Sequence, residues 1–119
     1  QAALKGLPQA QYELALLYDV GDKIPENREK AIKWMKASAQ QGYADALYGL
    51  GVWAERGYLG KPNMSKVVIL YEQAAERSHI YAITSLIALY SGGFNGFPED
   101  KEKAVYWMNK LIELKKTQK

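Results

Sequence analysis

Similar residues recur along the chain at intervals of 36 positions, and this period limits the possible folds more than any other feature. Small residues open each unit, at Gly6, Gly42 and Ser78. The same interval relates the alanines at 10, 46 and 82, the leucines at 14, 50 and 86, and the apolar residues at 17, 53 and 89. One extra residue enters the third copy after its turn. A period of this length is typical of proteins in which each repeat is one supersecondary unit stacked on the next.

Each unit holds two helical patterns. In the first, Ala10, Leu14, Leu17 and Tyr18 fall on one face of a helix with 3.6 residues per turn. The glycines at 21, 57 and 93 follow this pattern, and glycine suits the left-handed position that ends many helices. The second pattern begins at good N-cap residues: Asn27, Asn63 and Asp100. Because no stretch alternates as a strand does, the sequence predicts an all-α fold.

The stretch SGGFNGFPED at 91–100 combines glycines with a lysine-rich helix start, which raises the possibility of a phosphate-binding loop. Such a loop requires a Gly-Lys-Ser/Thr step after a strand, and the sequence has neither. It also places Glu99 and Asp100 where a phosphate would lie. The same positions in the other units read GDKIPEN and GYLGKPN. We therefore interpret this stretch as a turn between helices, with Gly93 ending one helix and Asp100 capping the next.

Composition excludes several kinds of site. The 119 residues contain no cysteine, which rules out disulfides and thiolate metal sites. The longest apolar run is VVIL at 67–70, far shorter than the ~20 residues of a membrane helix. QAALKG at the start lacks the basic and apolar regions of a signal peptide. The net charge of +3 arises from residues 101–119, which contain six lysines and two glutamates.

The stretch GYADALYGLGVWAERG, together with a capped KAIKWMKASAQQG, resembles the Sel-one-like repeat family, a relative of the tetratricopeptide repeat. The resemblance covers nearly the whole chain and predicts repeats at 6–41, 42–77 and 78–113. Residues 1–5 resemble the end of a preceding repeat, and 114–119 form a basic tail. Gly51 keeps the glycine of the family's Leu-Gly step, whereas Ala15 and Ile87 replace it in the outer units, and Leu70 replaces a tryptophan.

The resemblance implies an α-solenoid of antiparallel helix pairs, about three repeats long, whose first helices line a concave groove. Proteins of this family, many of them bacterial, act as adaptors and scaffolds, so we expect a protein or peptide partner, no enzyme activity and no cofactor. The compartment is left open by the residues themselves. The resemblance alone favours a periplasmic or secreted location over a cytoplasmic one.

Catalytic and metal-binding groups are scarce. His79 is the single histidine, and the sequence offers no second histidine or cysteine to join it in a metal site or triad. A packing or surface role is the expectation for His79. No catalytic residue is predicted.

The face of the first helices that lines the concave groove is the predicted partner-binding surface. Tyrosines suit protein recognition because they offer a large contact area, a polar tip and little entropy to lose. An alternative is that Tyr12 and Tyr48 only pack between neighbouring helices. Nucleic acid is not expected, because this face is acidic or neutral. Its predicted members are Tyr12, Leu16, Asp19, Asp45, Tyr48, Val52, Glu55, Tyr81 and Thr84.

Large apolar residues mark the interior and the C-terminal end. Trp34, Trp53 and Trp107 occupy stripe positions and are predicted core residues. Leu111 and Ile112 fall where earlier units have small residues, and Leu114 lies two residues beyond Ile112, so we expect at least one of Leu111 and Leu114 to be covered by something other than its own unit. The alternative function is therefore self-association or docking through this end.

Overall fold

The computed structural model of the protein describes residues 6–20, 27–92 and 96–117, and these form six α-helices and no strand. The helices are α1 (Pro8–Val20), α2 (Arg28–Gln40), α3 (Ala44–Glu55), α4 (Met64–Glu76), α5 (Ile80–Gly92) and α6 (Lys101–Lys116). Each helix packs chiefly against its neighbours in the chain. The prediction of an all-α fold with about three helix pairs is confirmed.

The helix starts lie where the cap residues predict them. The side-chain oxygens of Asn27, Asn63 and Asp100 accept hydrogen bonds from the backbone N–H groups three residues later, at 3.0, 3.3 and 3.2 Å. Each bond satisfies one of the N–H groups that lack a partner in a first helical turn.

The helix ends use left-handed residues. Gly57, which follows α3, has a φ of 86°, and Gly42 between α2 and α3 has a φ of 82°. Ser78 takes the same place before α5 with a φ of 65°, an unfavourable conformation for a residue with a side chain. The predicted helix stops at Gly21 and Gly93 lie outside the described residues.

The turn before α6 docks onto the core. The ring of Phe97 lies 5.5 Å from that of Tyr90, and the backbone N–H of Asp100 donates to the carbonyl of Tyr90 at 2.8 Å. These contacts use the residues that a phosphate loop would present to a ligand. Within 96–100 the stretch is a turn, as predicted.

Small side chains allow the units to approach closely. Ser38 and Ala39 on α2, and Ala74 and Ala75 on α4, are all buried. The Ser38 hydroxyl donates to the carbonyl of Pro8 at 2.7 Å, which links the end of α2 to the start of α1. The core that results is continuous through the described units.

One of the three predicted core tryptophans lies at the edge of the core. Trp53 and Trp107 are buried, as predicted, but Trp34 is only half-buried. The ring of Trp34 lies 5.4 Å from the ammonium of Lys33, on the outer side of α2. Its position in the stripe is shared with Leu70, which is also half-buried.

The apolar surface at the C-terminal end differs from the predicted one. Leu111 and Leu114 are half-buried and pack against the core of their own chain. Apart from Tyr106, the exposed apolar residues of α6 are Val105, Met108 and Ile112, which are spaced three and four residues apart on one side of the helix.

Candidate protein-binding face

The predicted residues of the first helices lie on α1, α3 and α5, and we call this surface the first-helix face. The members on α1 and α3 are half-buried, whereas Tyr81 and Thr84 on α5 are exposed. Tyr81 is 70% exposed. The Thr84 hydroxyl donates back to the carbonyl of Ile80 at 3.0 Å.

Aromatic rings join the second and third units. The ring of Tyr48 stacks on His79 with centroids 4.8 Å apart and lies 5.5 Å from Tyr71 and 6.3 Å from Tyr81. Pairs at these separations contribute about 0.5–1.5 kcal/mol each beyond their buried area. Tyr48, Tyr71, His79 and Tyr81 form what we call the aromatic cluster, in which Tyr48 holds the helices together and keeps part of its ring accessible.

His79 has a structural role, as expected. Its Nδ1 accepts a hydrogen bond from the backbone N–H of Ala82 at 3.2 Å, so this nitrogen carries no proton. Nε2 therefore bears the proton and donates to Oδ1 of Asp45 at 2.9 Å. The imidazole caps the first turn of α5 and fixes that helix to α3.

Glu55 is held by a buried tyrosine. The hydroxyl of Tyr71 on α4 donates to Oε1 of Glu55 at 2.7 Å. Burial, and then this bond to a carboxylate, raise the pKa of the Tyr71 phenol far above its ordinary value. The phenol therefore stays protonated and keeps the carboxylate at one place on the face.

The tyrosines at the N-terminal part of the face are also packed. The rings of Tyr12 and Tyr43 lie 5.6 Å apart. Burial, followed by the negative charge of Asp45, raises the pKa of Tyr12, which keeps its phenol neutral. Tyr12 and Tyr48 therefore pack between helices, as the alternative interpretation expects, and each retains some accessible surface.

Sequence reasoning missed Tyr71 and placed His79 outside the face. A signal for Tyr71 is present: the unit that keeps the glycine at 51 is also the unit with a tyrosine where the others have Met35 and Met108. The space left by the glycine is filled by the tyrosine ring.

Other kinds of site find no support in the part of the chain that the structure describes. Residues 6–20, 27–92 and 96–117 contain no group of three or more His, Asp or Glu side chains able to hold a metal ion. No helix within the same ranges is long and apolar enough to cross a membrane. The lysines of the second helices at 30, 33, 36 and 66 are exposed, away from the first-helix face.

Stacked helix pairs with an aromatic and acidic face define the class of protein: a helical-repeat interaction scaffold. The family model of the Sel1 repeat matches residues 8–43, 44–79 and 86–115. The chain belongs to the Sel1 repeat family, whose members act as non-catalytic scaffolds for protein interactions.

Known proteins resemble this chain in both sequence and structure. The chain is 32% identical over 110 residues to the chitin synthase regulator SKT5 of Malassezia restricta, across 89% of this chain and 8% of that protein. A crystal structure of a Sel1 repeat protein from Oxalobacter formigenes superposes with a TM-score of 0.83 at 32% identity, over 92% of this chain and 44% of that one.

A protective antigen of uropathogenic Escherichia coli with the same repeat fold superposes with a TM-score of 0.87 at 32% identity, over 96% of this chain and 24% of the antigen. The chain therefore spans less than half the length of each of these relatives. Since they come from a fungus and from bacteria, the expected bacterial origin is not confirmed.

Proposed function

We propose that the first-helix face binds a segment of a partner protein, across α3 and α5. The observation that carries this is the exposure of Tyr81 beside the half-buried Tyr48. A ring 70% exposed at the edge of a packed aromatic cluster offers apolar area to a partner with little side-chain entropy left to lose.

The charges of this face indicate the kind of segment. Asp45 and Glu55 are fixed by His79 and Tyr71 on either side of Tyr48. Carboxylates held in place beside aromatic rings favour a partner segment that carries lysine or arginine next to apolar residues, because the cations meet both the carboxylates and the ring faces. SKT5 is by name a regulator of chitin synthase, and an enzyme is therefore one class of partner proposed for this chain.

The experiment uses site-specific crosslinking. A photoreactive phenylalanine analogue at position 81 should trap a partner, and the same analogue in place of Tyr106, an exposed tyrosine on α6, is the matched control. The same partner trapped at both positions, or a partner other than a second copy of this chain trapped only at 106, would contradict the proposal.

The affinity of variants for the trapped partner then tests whether Tyr81 contributes to binding. Tyr81→Ala should weaken binding by about 1–2 kcal/mol, as expected for an accessible interface tyrosine. Helical content should be unchanged, because Tyr81 makes only edge contacts within the protein. Tyr106→Ala should leave the affinity unaltered.

A second candidate function is head-to-tail self-association through α6. By the repeat, Val105, Met108 and Ile112 correspond to Val68, Tyr71 and Ala75, which are buried in the interior. The complementary surface would be α1, where Leu17 is 37% exposed although Trp53 and Leu89, its counterparts, are buried.

The charges of these two helices are complementary. Helix α1 has two carboxylates and no basic residue, and α6 has five lysines and two glutamates. A second copy stacking its α1 on α6 would therefore gain both apolar burial and attraction.

Sedimentation of the 119-residue chain over a wide concentration range tests the second candidate. Val105→Lys with Ile112→Lys should abolish association, and Ile69→Lys, at an exposed site on α4, should not. A parent chain that stays monomeric at every concentration would contradict self-association.

A further inference from the structure

A groove of about 670 Å³ lies between the second helices α2 and α4, and it shares no lining residue with the first-helix face. Its walls come from the last turns of α2 and α4, and its floor comes from α3. This volume is within the range of sites that hold small ligands or one or two side chains of a peptide.

The walls carry positive charge and amide groups. Lys36 lies on α2 and Arg77 follows α4, and the amides of Gln40 and Gln73 line the groove beside them. None of the lining residues is acidic. The contact between the His79 imidazole and the Asp45 carboxylate is the one basic–acidic pair within 4 Å among the described residues, so neither cation of the groove is paired with a described carboxylate. The charges are therefore available to an anion from outside.

Arg77 is held in position over the groove. Its Nη1 donates to the carbonyl of Gln73 at 2.8 Å. Its Nη2 and Nε lie 3.1 and 3.2 Å from the point that a Cβ on Gly42 would occupy, so the absence of a side chain there lets the guanidinium lie against the backbone. Of the five N–H donors of an arginine, one is used by Gln73 and the remainder can bind a ligand.

The side-chain amide of Gln41 in the groove already has a hydrogen-bond partner. The Nε2 group of Gln41 donates to Oε1 of Gln11 at 2.7 Å. It is therefore a support for the wall, and the donors left to a ligand are those of Arg77, Lys36, Gln40 and Gln73.

The floor of the groove is apolar. Leu47 and Leu50 are buried, and Leu70 is half-buried at the side. Inorganic anions gain nothing from such a floor, whereas an aliphatic side chain does, by about 0.8 kcal/mol for each CH₂ group buried. Charge and floor together select a ligand with a carboxylate next to an aliphatic group.

The basic character is not required by the repeat. One unit further along, the residues that correspond to Lys36 and Gln40 are Glu72 and Glu76, and Leu114 replaces Arg77. Stacking of helix pairs thus tolerates either charge at these positions, so the positive charge is a property of the groove between the first and second units.

We propose that this groove binds a peptide segment in which an acidic side chain precedes an aliphatic one. The carboxylate lies between Arg77 and Lys36, and the aliphatic group contacts Leu47 and Leu50. The chain would then hold two partner segments of opposite charge, one on each side of α3.

The test is an NMR titration of the labelled protein with acetyl-Ser-Glu-Leu-Leu-Ser-amide. Three further probes separate the chemistry: the peptide with Gln for Glu, the peptide with Ser for both leucines, and inorganic phosphate. We expect the first peptide to shift the signals of Gly42, Leu47 and Arg77, and to bind at least about fivefold more tightly than each other probe.

Variants assign the binding to the groove. Arg77→Gln introduces the residue that the first unit has at the equivalent position 41, and should weaken binding by about fivefold or more. Lys36→Gln gives a second measurement if Arg77→Gln does not fold. Lys66→Gln, an exposed lysine outside the groove, should change the affinity by less than about twofold.

Three outcomes would overturn the proposal: equal binding of the Gln peptide, binding of phosphate as tight as that of the peptide, or shifts confined to Tyr48 and Tyr81. These outcomes leave the proposed function of the first-helix face untouched. Conversely, Tyr81→Ala should not alter the peptide titration, so the two proposals can fail separately.

Discussion

The ring of Tyr71 occupies the space where a side chain on Gly51 would lie. A Cβ at position 51 would be 2.7 Å from Cε1 and 2.9 Å from Cδ1 of Tyr71, closer than unbonded carbon atoms approach. The glycine on α3 thus sets how deeply the tyrosine of α4 enters the core and where its hydroxyl meets Glu55.

Gly51→Ala should destabilise the protein. The overpacking costs about 1–3 kcal/mol, and the higher helix propensity of alanine returns about 1 kcal/mol, so we expect a net loss near 1 kcal/mol in urea unfolding. Gly49→Ala is the matched control on the same helix. A Cβ there would lie 3.1 Å from Cε at the flexible end of Met35 and at an ordinary 3.7 Å from Cε1 of Tyr12. Stability should therefore be unchanged or slightly higher.

A double mutant isolates the contact. The first unit carries Ala15 and Met35 where the second carries Gly51 and Tyr71. In a Tyr71→Met background, Gly51→Ala should therefore become neutral or stabilising by up to about 1 kcal/mol, a coupling of about 1 kcal/mol or more. An equal cost in both backgrounds would show that the ring is not what excludes a side chain at 51.

Ser78→Gly should stabilise the chain, because Ser78 has a φ of 65° before α5. A left-handed residue with a Cβ costs about 1–2 kcal/mol, part of which is offset by the larger entropy of glycine in the unfolded state, so the expected gain is about 0.5–1 kcal/mol.

A serine-to-glycine substitution within a helix should change the stability in the opposite direction. Ser65→Gly, at an exposed position of α4, should lower stability by about 0.5 kcal/mol. Thermal unfolding of both variants checks the pair, and a loss of stability in Ser78→Gly would contradict the strain inferred from φ.

Stability should fall in alkaline solution as buried tyrosines ionise. Burial and the bonds to Glu55 and Glu72 raise the pKa of Tyr71 and of Tyr90 above the ordinary value of 10.0. Above about pH 10 the folded state therefore holds protons that the unfolded state has released, and the free energy of unfolding decreases as pH rises further. Below that pH the contribution of both tyrosines is fully present.

Ultraviolet difference spectroscopy of the phenolate measures this effect. At about pH 11 the folded protein should show fewer ionised tyrosines than the urea-unfolded protein, which ionises most of its nine. Tyr71→Phe should reduce the alkaline loss of stability, and Tyr106→Phe, on the exposed side of α6, should not. Identical titration of the folded and unfolded chains would contradict the assignment.

The features that sequence predicted correctly are set by local chemistry. An asparagine caps the helix that begins next to it, and Gly57 ends the helix that precedes it, whatever the rest of the fold does. The pairs that shape the first-helix face are distant in sequence: Asp45 and His79 are separated by 34 residues and meet only because two units stack in one register. A period tells which residues are equivalent, but not which neighbours they meet.

That limit explains the different surroundings of equivalent residues. Tyr48 and Thr84 hold the same repeat position, yet Tyr48 is half-buried by His79 and Tyr71, and Thr84 is exposed. The same reasoning applies to Trp34, whose stripe position lies at the margin of the core in the first and second units. Side-chain size in the adjoining helix decides burial there, and the period carries no information about it.

Removal of the third unit should destroy much of the cooperativity of unfolding. Residues 78–119 supply α5 and α6, and without them Val68, Ala74 and Ala75 of α4 lose the helix that packs on them. Stability in stacked repeats is roughly the sum of the units and of the interfaces between neighbours, and this deletion removes one of two interfaces. The fragment 1–77 should therefore lose about half or more of the free energy of unfolding and melt over a broader range.

Calorimetry of the fragment and of the parent chain gives the comparison, with a fragment of residues 42–119 as the matched deletion of one unit from the other end. A fragment 1–77 that melts as sharply and at the same temperature as the parent would show that the units are stable independently of one another.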